Sequence, residues 1–387
     1  MLAACMAYFD NNSTTPPYRE VIEAIGNAHE VGWANPSSPH RAGAQVRTFL
    51  ENAREGFAHS FGVSADRLIF TSGATEANNS IVAWVANQQF CTGKIAMVSS
   101  IEHPSIIEPV SNAFLNRVVQ IPVNRNGLVE IENVAELIQT KRPGFVSVLA
   151  AHNETGVLQP WMEIAQLCKE FGIWFHCDAT QWCGKLSPLG FDQCSSFSFS
   201  AHKFGGPKGV GGFFAQEPIR WIRGGGQEME SRGGTENFPS IEGMRIAWKQ
   251  TEEKSPFRKK GEKERNNFEK KVKELLPEIC ITGENAPRLW NTSFLRLPQF
   301  DNLSWLSKLD KMGHSLSTGS ACSTARQESS GLAKAIGLSP SQSRRLIRVS
   351  SWFGTKKKDW SGLVESLEIS YNELLEDQKR SGLISLP

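Results

Sequence analysis

The chain has 387 residues, of which 40% are hydrophobic and 21% are charged, and its formal net charge is +2. A chain of this length and composition can bury a large core, and we expect it to divide into two domains. Its nearly balanced charge lacks the basic excess that nucleic acid or an anionic membrane surface requires, so we expect neither as a direct partner.

Short apolar runs alternate with helical patterns along the first two thirds of the chain. The candidate strands, in chain order, are RLIF (67–70), KIAMVSS (94–100), RVVQIPV (117–123), GFVSVLAA (144–151), GIWFHCD (172–178), SSFSFS (195–200) and GVGGFFA (209–215). Segments such as 74–88 and 162–172 carry apolar residues at helical spacing. This alternation predicts an α/β fold with a mostly parallel sheet, whose site is built by loops at the carboxyl ends of the strands.

The last third opens with a charged stretch at 252–275, EEKSPFRKKGEKERNNFEKKVKEL. Charges of both signs at helical spacing predict a solvated helix, which we expect to cross between the domains.

The eight cysteines include no CxxC pair, so the sequence predicts neither a zinc site nor a thioredoxin-type motif. We find no apolar run long enough to span a bilayer and no pattern of a secretion signal. We therefore expect free thiols in a reducing cytoplasm, most of them as small buried hydrophobes.

Polar side chains with catalytic potential follow several predicted strands. His103, Asn153, Asp178 and Gln181 come after three of them, and the helix that starts at Ala74 and Thr75 follows another. The free N–H groups of a helix start suit a phosphate. Asp178 follows a strongly apolar strand, and a buried carboxylate needs a cationic partner.

Two lysines flank the glycine pair in SFSAHKFGGPKG (198–209). Lys203 follows the SSFSFS strand directly, whereas Lys208 lies beyond Gly205, Gly206 and Pro207, in a turn. Pyridoxal phosphate would satisfy all of these groups together, with its phosphate at Ala74 and Thr75, its ring nitrogen on Asp178 and its aldehyde on Lys203. We assign Lys208 a structural or solvent role.

Taken together, these segments resemble the cysteine desulfurases, the NifS-like and IscS-like enzymes of the class V aminotransferase group. The motifs, in the order in which the family has them, are YFDNNSTTP (8–16), NPSSPHRAG (35–43), FTSGATEANN (70–79), EHPS (102–105), NETGVLQP (153–160), DATQ (178–181), SFSAHKFGGPKGVG (198–211), RGGGQEMESRGGTEN (223–237), STGSACST (317–324) and LIRVS (346–350). The resemblance implies a pyridoxal-phosphate-dependent transferase fold of the aspartate aminotransferase type, fold type I. It also implies a homodimer and two domains, a large cofactor domain (13–250) and a small α+β domain (1–12 with 251–387).

The resemblance assigns roles to particular residues. Lys203 would bond the cofactor, and His103 would lie over its ring and shuttle protons. Asp178 would hold the ring nitrogen protonated. The remaining cofactor contacts would be Gln181 at the phenolic oxygen and, at the phosphate, Ala74, Thr75, Ser200, His202 and the Thr235 of the other subunit. Asn153 and Arg348 would position the carboxylate of the substrate.

The segment STGSACSTARQESSG (317–331) consists of small and polar residues around one thiol, Cys322. Its composition predicts an exposed, mobile loop at about 316–331. In the family this motif holds the nucleophile, so the resemblance implies that L-cysteine becomes L-alanine while Cys322 takes the sulfur as a persulfide. The loop would then deliver it to an iron–sulfur scaffold or another acceptor protein.

Three positions depart from the family pattern. His152 stands where asparagine is usual, Gly233 replaces a serine, and Trp352 stands where glycine is common. These departures bear on rate and substrate preference rather than on reaction class.

The sequence leaves other functions open. A selenocysteine lyase or a cysteine sulfinate desulfinase would use the same lysine. A catalytically silent dimer that docks sulfur-transfer partners is a further alternative, which the intact Lys203, His103, Asp178 and Cys322 disfavour. The physiological sulfur acceptor is not encoded in any motif that we identify.

Overall fold

The structure, a computed structural model, describes residues 7–318 and 331–384. Its strands are β1 (Ala7–Tyr8), β2 (Leu68–Thr71), β3 (Ala96–Ser99), β4 (Val118–Ile121), β5 (Phe145–Ser147), β6 (Trp174–Asp178), β7 (Ser196–Ser200), β8 (Gly211–Ala215), β9 (Cys280–Ile281), β10 (Thr292–Arg296), β11 (His314–Ser315) and β12 (Leu346–Ser350). Its α-helices are α1 (Arg19–Val31), α2 (Arg41–Phe61), α3 (Ala74–Ala86), α4 (Pro104–Phe114), α5 (Ile131–Lys141), α6 (Trp161–Glu170), α7 (Phe238–Glu253), α8 (Arg258–Leu275), α9 (Asn302–Lys311), α10 (Gly331–Ala335), α11 (Pro340–Ser343) and α12 (Lys357–Ile384).

A seven-stranded sheet, in the order β2-β8-β7-β6-β5-β3-β4, organises the first part of the chain. Neighbouring strands from β7 to β4 pair in parallel, and β8 alone of the seven runs against its two neighbours. All seven predicted strands are confirmed, each shifted or shortened by a few residues at its ends. The mostly parallel α/β fold is therefore confirmed as well.

Both faces of this sheet are covered, which explains why its strands are continuous apolar runs. Alternate residues such as Phe70 and Phe214 pack into one core, and their neighbours Ile69 and Phe213 pack into another. Helices α2, α5, α6 and α7 cover the first face, and α3 and α4 cover the second. The central strands β5 to β7 are buried along their whole length, so their ends form a sheltered edge.

A separate core joins the beginning of the chain to its last third. Phe9 packs with residues of α8, α9, β10, β12 and α12, including Trp305 and Trp360. The antiparallel sheet β12-β10-β9 and the parallel pair β1-β11 belong to this part. Of the charged stretch at 252–275, residues 258–275 form the predicted helix as α8, while 252–253 end α7 and 255–257 form a 3-10 turn between them. Helix α8 reaches this core through Phe268 and Val272.

Two further features concern the helices and the cysteines of the described ranges. Within them, no helix is both long and apolar enough to span a bilayer. Five cysteines, Cys91, Cys168, Cys177, Cys183 and Cys194, are buried without disulfides, whereas Cys280 is exposed. Most of the described cysteines thus behave as small buried hydrophobes, as expected.

A buried ion pair fixes the segment that precedes Thr235. The Arg54 guanidinium donates to both carboxylate oxygens of Glu228 at 2.7 and 2.8 Å, and to the carbonyl of Leu68 at 2.7 Å. Glu228 also accepts from the backbone N–H of Phe70 at 2.8 Å. The two side chains are only 2% and 1% exposed, and residues 228–230 all have positive φ. This pair therefore holds an unusual backbone turn against α2 and β2.

Replacing Arg54 by methionine would leave the Glu228 carboxylate buried without its cation. Because a broken buried pair is strongly destabilising, we expect the free energy of unfolding to fall by about 3–5 kcal/mol, measured by urea titration. The matched control is Arg19→Met, whose exposed pair with Glu23 is expected to contribute little. An Arg54→Met protein as stable as this control would contradict the role given to the pair.

Candidate active site

The predicted site residues come together at the carboxyl edge of the large sheet. Asp178 is the last residue of β6 and Ser200 the last of β7, while His103 follows β3 and Asn153 follows β5. Arg348 reaches the same region from β12, in the other core. Three hydrogen-bonded groups, centred on Asp178, Lys203 and Arg348, connect these side chains.

The first group centres on Asp178, which is almost fully buried. Its Oδ2 accepts from Nδ2 of Asn78 at 3.0 Å, and its Oδ1 accepts from the backbone N–H of Thr180 at 2.9 Å. A carboxylate has about four acceptor positions, so this one retains capacity for a further donor. Asp178 therefore fits a protonated ring nitrogen.

Asn78, in the middle of α3, extends this group to two histidines. Its Nδ2 also donates to Oγ of Ser105 at 2.9 Å, and its Oδ1 accepts from Nε2 of His176 at 3.1 Å. Ser105 in turn donates its backbone N–H to Nδ1 of His103 at 3.1 Å. The Nδ1 of His103 is thus an acceptor, and the proton of the neutral ring lies on Nε2. Burial also lowers the pKa of His103, although Asp178 opposes the shift.

The second group surrounds Lys203, which follows β7 as predicted. Its Nζ donates to the carbonyl oxygens of Asn12 at 3.0 Å and Ser13 at 2.7 Å. Burial lowers the pKa of Lys203 to about 8, and Arg348 adds to this lowering, while Asp178 and Asp10 oppose it. A larger share of this amine is therefore neutral near pH 7 than of an ordinary lysine.

Gln181 shares the Asn12 carbonyl with Lys203. Its Nε2 donates to that oxygen at 2.9 Å, and its Oε1 accepts from Nζ of Lys185. The Gln181 amide and the Lys203 amine therefore lie side by side on one backbone oxygen. Lys208 is exposed, in agreement with its predicted solvent role.

The third group holds Arg348, whose guanidinium is buried. It donates to Oδ1 of Asp10 at 2.6 Å, to Oγ of Ser13 at 2.5 Å and to the backbone oxygen of Asn153 at 3.1 Å. The bond to Asn153 uses its main chain, and the Asn153 side chain is half-buried beside it. Arg348 and Asn153 are thus adjacent, as their predicted shared role requires.

The predicted phosphate site, called the cradle below, consists of the start of α3 with Ser200 and His202. Gly73 caps α3 with a φ of 149°, a conformation that glycine adopts most easily, and a Cβ built on it would lie 3.4 Å from Oγ of Ser200. A Cβ on Gly211 would come within 2.8 Å of Gly73 Cα, so both glycines keep the strands close to the helix start. His202 has a buried Nδ1 without a partner in the described ranges, and burial, Lys203 and Lys208 lower the pKa of His202 to about 4.

These observations fit pyridoxal phosphate. The N–H groups of Ala74 and Thr75 begin α3, and Ser200 and His202 supply a hydroxyl and a neutral imidazole next to them. Thr235 is exposed, three residues after Arg232, whose Nε donates to Glu76 in the first turn of α3 at 2.9 Å. The predicted Thr235 segment therefore lies near the cradle but is turned to solvent.

Cys322 lies outside the described residues, but both ends of its segment are placed. The backbone N–H of Arg348 donates to the carbonyl of Ser317 at 2.8 Å. On the other side, Leu332 packs with Ile101 and Leu149. One end of the segment 319–330 thus lies at Arg348, and the other lies beside Ile101, two residues before His103 in the chain.

The three departures from the family pattern have different settings. His152 is buried, and its Nδ1 accepts from the backbone N–H groups of Glu154 and Thr155 at 3.3 Å, while burial lowers its pKa to about 3. Trp352 packs on Trp290 and donates to the Tyr18 hydroxyl at 2.8 Å. Trp352 is therefore part of the core. The backbone N–H of Gly233 donates to the carbonyl of Ile222 at 2.7 Å, and a Cβ built on Gly233 would lie 3.2 Å from the backbone nitrogen of Gly225.

Sequence analysis did not single out Asp10, Asn12, Asn78 and Lys185. A signal existed for Asn78, because it falls on the buried face of α3 with Ile81 and Val82, where an amide is out of place. Asp10 and Asn12 belong to a polar run directly after an apolar pair, but nothing local indicates their partners.

Comparison with known proteins agrees with this geometry. The family model described as aminotransferase class V matches residues 7–359. The chain is 34% identical over 378 residues to a protein named cysteine desulfurase IscS from Dictyoglomus turgidum, covering 93% of each chain. It is 32% identical to the cysteine desulfurase NifS of Azotobacter vinelandii, covering 89% of this chain and 87% of the relative.

Solved structures give the same result. A NifS-like protein superposes with a TM-score of 0.86 at 30% identity, covering 96% of this chain and 100% of its own. A NifS-like protein from Rickettsia africae superposes with a TM-score of 0.84 at 30% identity, covering 95% and 100%. These likenesses confirm the expected fold type I architecture, and the chain belongs to the class V aminotransferase family and, within it, to the cysteine desulfurases.

Proposed function

We propose that this chain is a pyridoxal-phosphate-dependent cysteine desulfurase, which converts L-cysteine to L-alanine and takes the sulfur onto Cys322 as a persulfide. The observation that carries the proposal is the convergence of three groups: the Lys203 amine and the Arg348 guanidinium both bind Ser13, and the Asp178 carboxylate is near enough to Lys203 to oppose the lowering of its pKa. Each has the charge and the position that one part of the cofactor or substrate requires.

Several residues would hold the cofactor. Asp178 would pair with the ring nitrogen, Gln181 would contact the phenolic oxygen, and Lys203 would bond the aldehyde. Ala74, Thr75, Ser200 and His202 would bind the phosphate, joined by Thr235 from a second copy of the chain, and the exposure of Thr235 supports that last assignment. When bound, pyridoxal phosphate supplies a covalent attachment for the substrate amine and a ring that accepts the electron pair left at Cα.

Proton transfer falls to Lys203 and His103. As a free amine, Lys203 would remove the Cα proton, a role that its lowered pKa of about 8 suits. His103 presents a proton at Nε2, since its Nδ1 accepts from the backbone N–H of Ser105, and would shuttle that proton during turnover.

Arg348 and Asn153 would position the substrate carboxylate. Asp10, Ser13 and the Asn153 backbone fix the plane of the guanidinium before substrate arrives. A planar, pre-oriented guanidinium is well matched to a carboxylate, so less ordering is left for the binding step.

Sulfur transfer would then balance without an external oxidant. The Cys322 thiolate forms an S–S bond to the substrate sulfur as the Cβ–S bond breaks, and protons return to the carbon skeleton to give alanine. The Cys322 sulfur is oxidised to the persulfide and the substrate carbon is reduced. The ends of the Cys322 segment support this role, because Ser317 binds the backbone of Arg348 and Leu332 packs with Ile101, two residues before His103 in the chain.

The wider setting follows from the same proposal. We infer a cytoplasmic homodimer that hands sulfur to an iron–sulfur scaffold or another acceptor protein. The separate core around Phe9 and Trp360 supports a small domain of residues 1–12 and 251–387 beside a large domain of 13–250. Residue 250 lies in the last turn of α7, which ends at Glu253.

Replacing Lys203 by alanine removes the proposed anchor for the cofactor. We expect the visible absorption of protein-bound pyridoxal phosphate to disappear, as recorded by spectrophotometry after reconstitution and gel filtration. Lys208→Ala is the control, since that lysine is exposed and should leave the absorption unchanged. If only the Lys208 variant lost the absorption, the two lysines would exchange roles.

Replacing Cys322 by serine tests the sulfur acceptor separately. The absorption of the bound cofactor should persist, while alanine formation from L-cysteine should fall by about a hundredfold or more, because the hydroxyl is a poor nucleophile towards sulfur. Cys280→Ser, at an exposed thiol on β9, should keep full activity. Full alanine formation by the Cys322→Ser protein would refute the assignment of the nucleophile.

A further inference from the structure

Lys185 is a lysine in an unusual environment, in the turn that follows β6. Its side chain is 0% exposed. Lysines are rarely buried in this way, because an ammonium group loses its hydration. Burial lowers the pKa of Lys185 well below its ordinary value, and the nearby charges of Lys203 and Arg348 lower it further, while Cys183 opposes the shift. Because burial removes the hydration of the Lys185 amine, we look for a specific contact that this amine makes.

That contact is with Gln181. Among the described residues, Oε1 of Gln181 is the hydrogen-bond acceptor that Nζ of Lys185 reaches. The Lys185 backbone is held independently, since its carbonyl accepts from Nε1 of Trp290 at 3.0 Å and its N–H donates to the Trp182 carbonyl at 3.0 Å. The turn would therefore keep its shape with another side chain at position 185.

The orientation of the Gln181 amide follows from its two neighbours. A backbone carbonyl only accepts, so the amide NH₂ must face Asn12, and the amide oxygen must face Lys185. Lys185 can donate whether or not it is charged. The amide NH₂ has two N–H groups, and one of them donates to the Asn12 carbonyl. The second N–H remains next to the Lys203 amine, which donates to the same carbonyl.

We propose that Lys185 is a positioning residue that locks the Gln181 amide with its free N–H aimed at the phenolic oxygen of the cofactor. This inference rests on the proposed function, since it assumes that pyridoxal phosphate occupies the pocket. Without Lys185, the buried Gln181 oxygen loses its donor, and rotation of the amide to find another one removes the N–H from the cofactor.

The bound cofactor reports this contact through its own titration. A donor at the phenolic oxygen favours the deprotonated form of the bound cofactor, so losing the donor raises the pH at which its visible absorption changes. For Lys185→Met we expect the midpoint of this absorption change to move to higher pH by about half a unit to one unit. Gln181→Leu should give a shift of the same size and direction.

A double-mutant cycle distinguishes positioning of Gln181 by Lys185 from a general disturbance of the structure. If Lys185 acts through Gln181, adding Lys185→Met to Gln181→Leu should produce no further shift. Lys208→Met is the matched control, an exposed lysine that should leave the midpoint unchanged. Additive shifts, or an unchanged midpoint in a folded Lys185→Met protein, would overturn the proposal.

A second variant covers the case in which Lys185→Met does not fold. Lys185→Gln retains an N–H donor at a neutral side chain, and the proposal predicts a midpoint close to that of the unaltered protein. A midpoint as displaced as that of Gln181→Leu would overturn it. The titration requires bound cofactor but no turnover, so a protein that titrates as expected yet makes no alanine would contradict the desulfurase proposal alone.

Discussion

Asp178 ends the central strand β6 with its carboxylate almost wholly removed from water, and the rest of the site is arranged around it. An isolated buried carboxylate is unstable unless donors or cations surround it. Asn78 and Thr180 provide two donors, and a protonated ring nitrogen would provide the cationic partner. Through Asn78 and Ser105 the same network sets the tautomer of His103, so electron withdrawal and proton transfer would depend on one buried group.

The segment Asp10–Ser13 joins this site to the second core. Asn12 and Ser13 offer carbonyls to Lys203, and Asp10 fixes Arg348, while the preceding Phe9 packs with Trp360. Four consecutive residues thus relate the lysine that would hold the cofactor to the arginine that would hold the substrate. A small movement of this segment would shift both Lys203 and Arg348. The relative position of these two side chains therefore depends on how the two cores pack together.

Local patterns in the sequence predicted the strands, the polar residues at their ends and the helix start at Ala74, because each depends on neighbours along the chain. They did not predict Asn12 or Asn78, whose partners lie up to 191 residues away. They did not predict Lys185 either, because its partner Gln181 is only four positions away but its complete burial depends on the fold. Trp33 shows the opposite error. A tryptophan in a patterned segment is more simply a core residue, yet Trp33 is 75% exposed, since the chain leaves α1 there and turns its indole outward. The same pattern predicts burial for Trp84, Trp174 and Trp182, which are buried or partly buried.

The most direct measurement is of L-alanine and sulfide produced from L-cysteine by the purified, cofactor-loaded protein with a reducing thiol present. A desulfurase releases the two products in equal amounts over many turnovers. Cofactor absorption with no alanine from L-cysteine would contradict the account, and alanine from cysteine sulfinate or selenocysteine instead would identify a different lyase built on the same pocket.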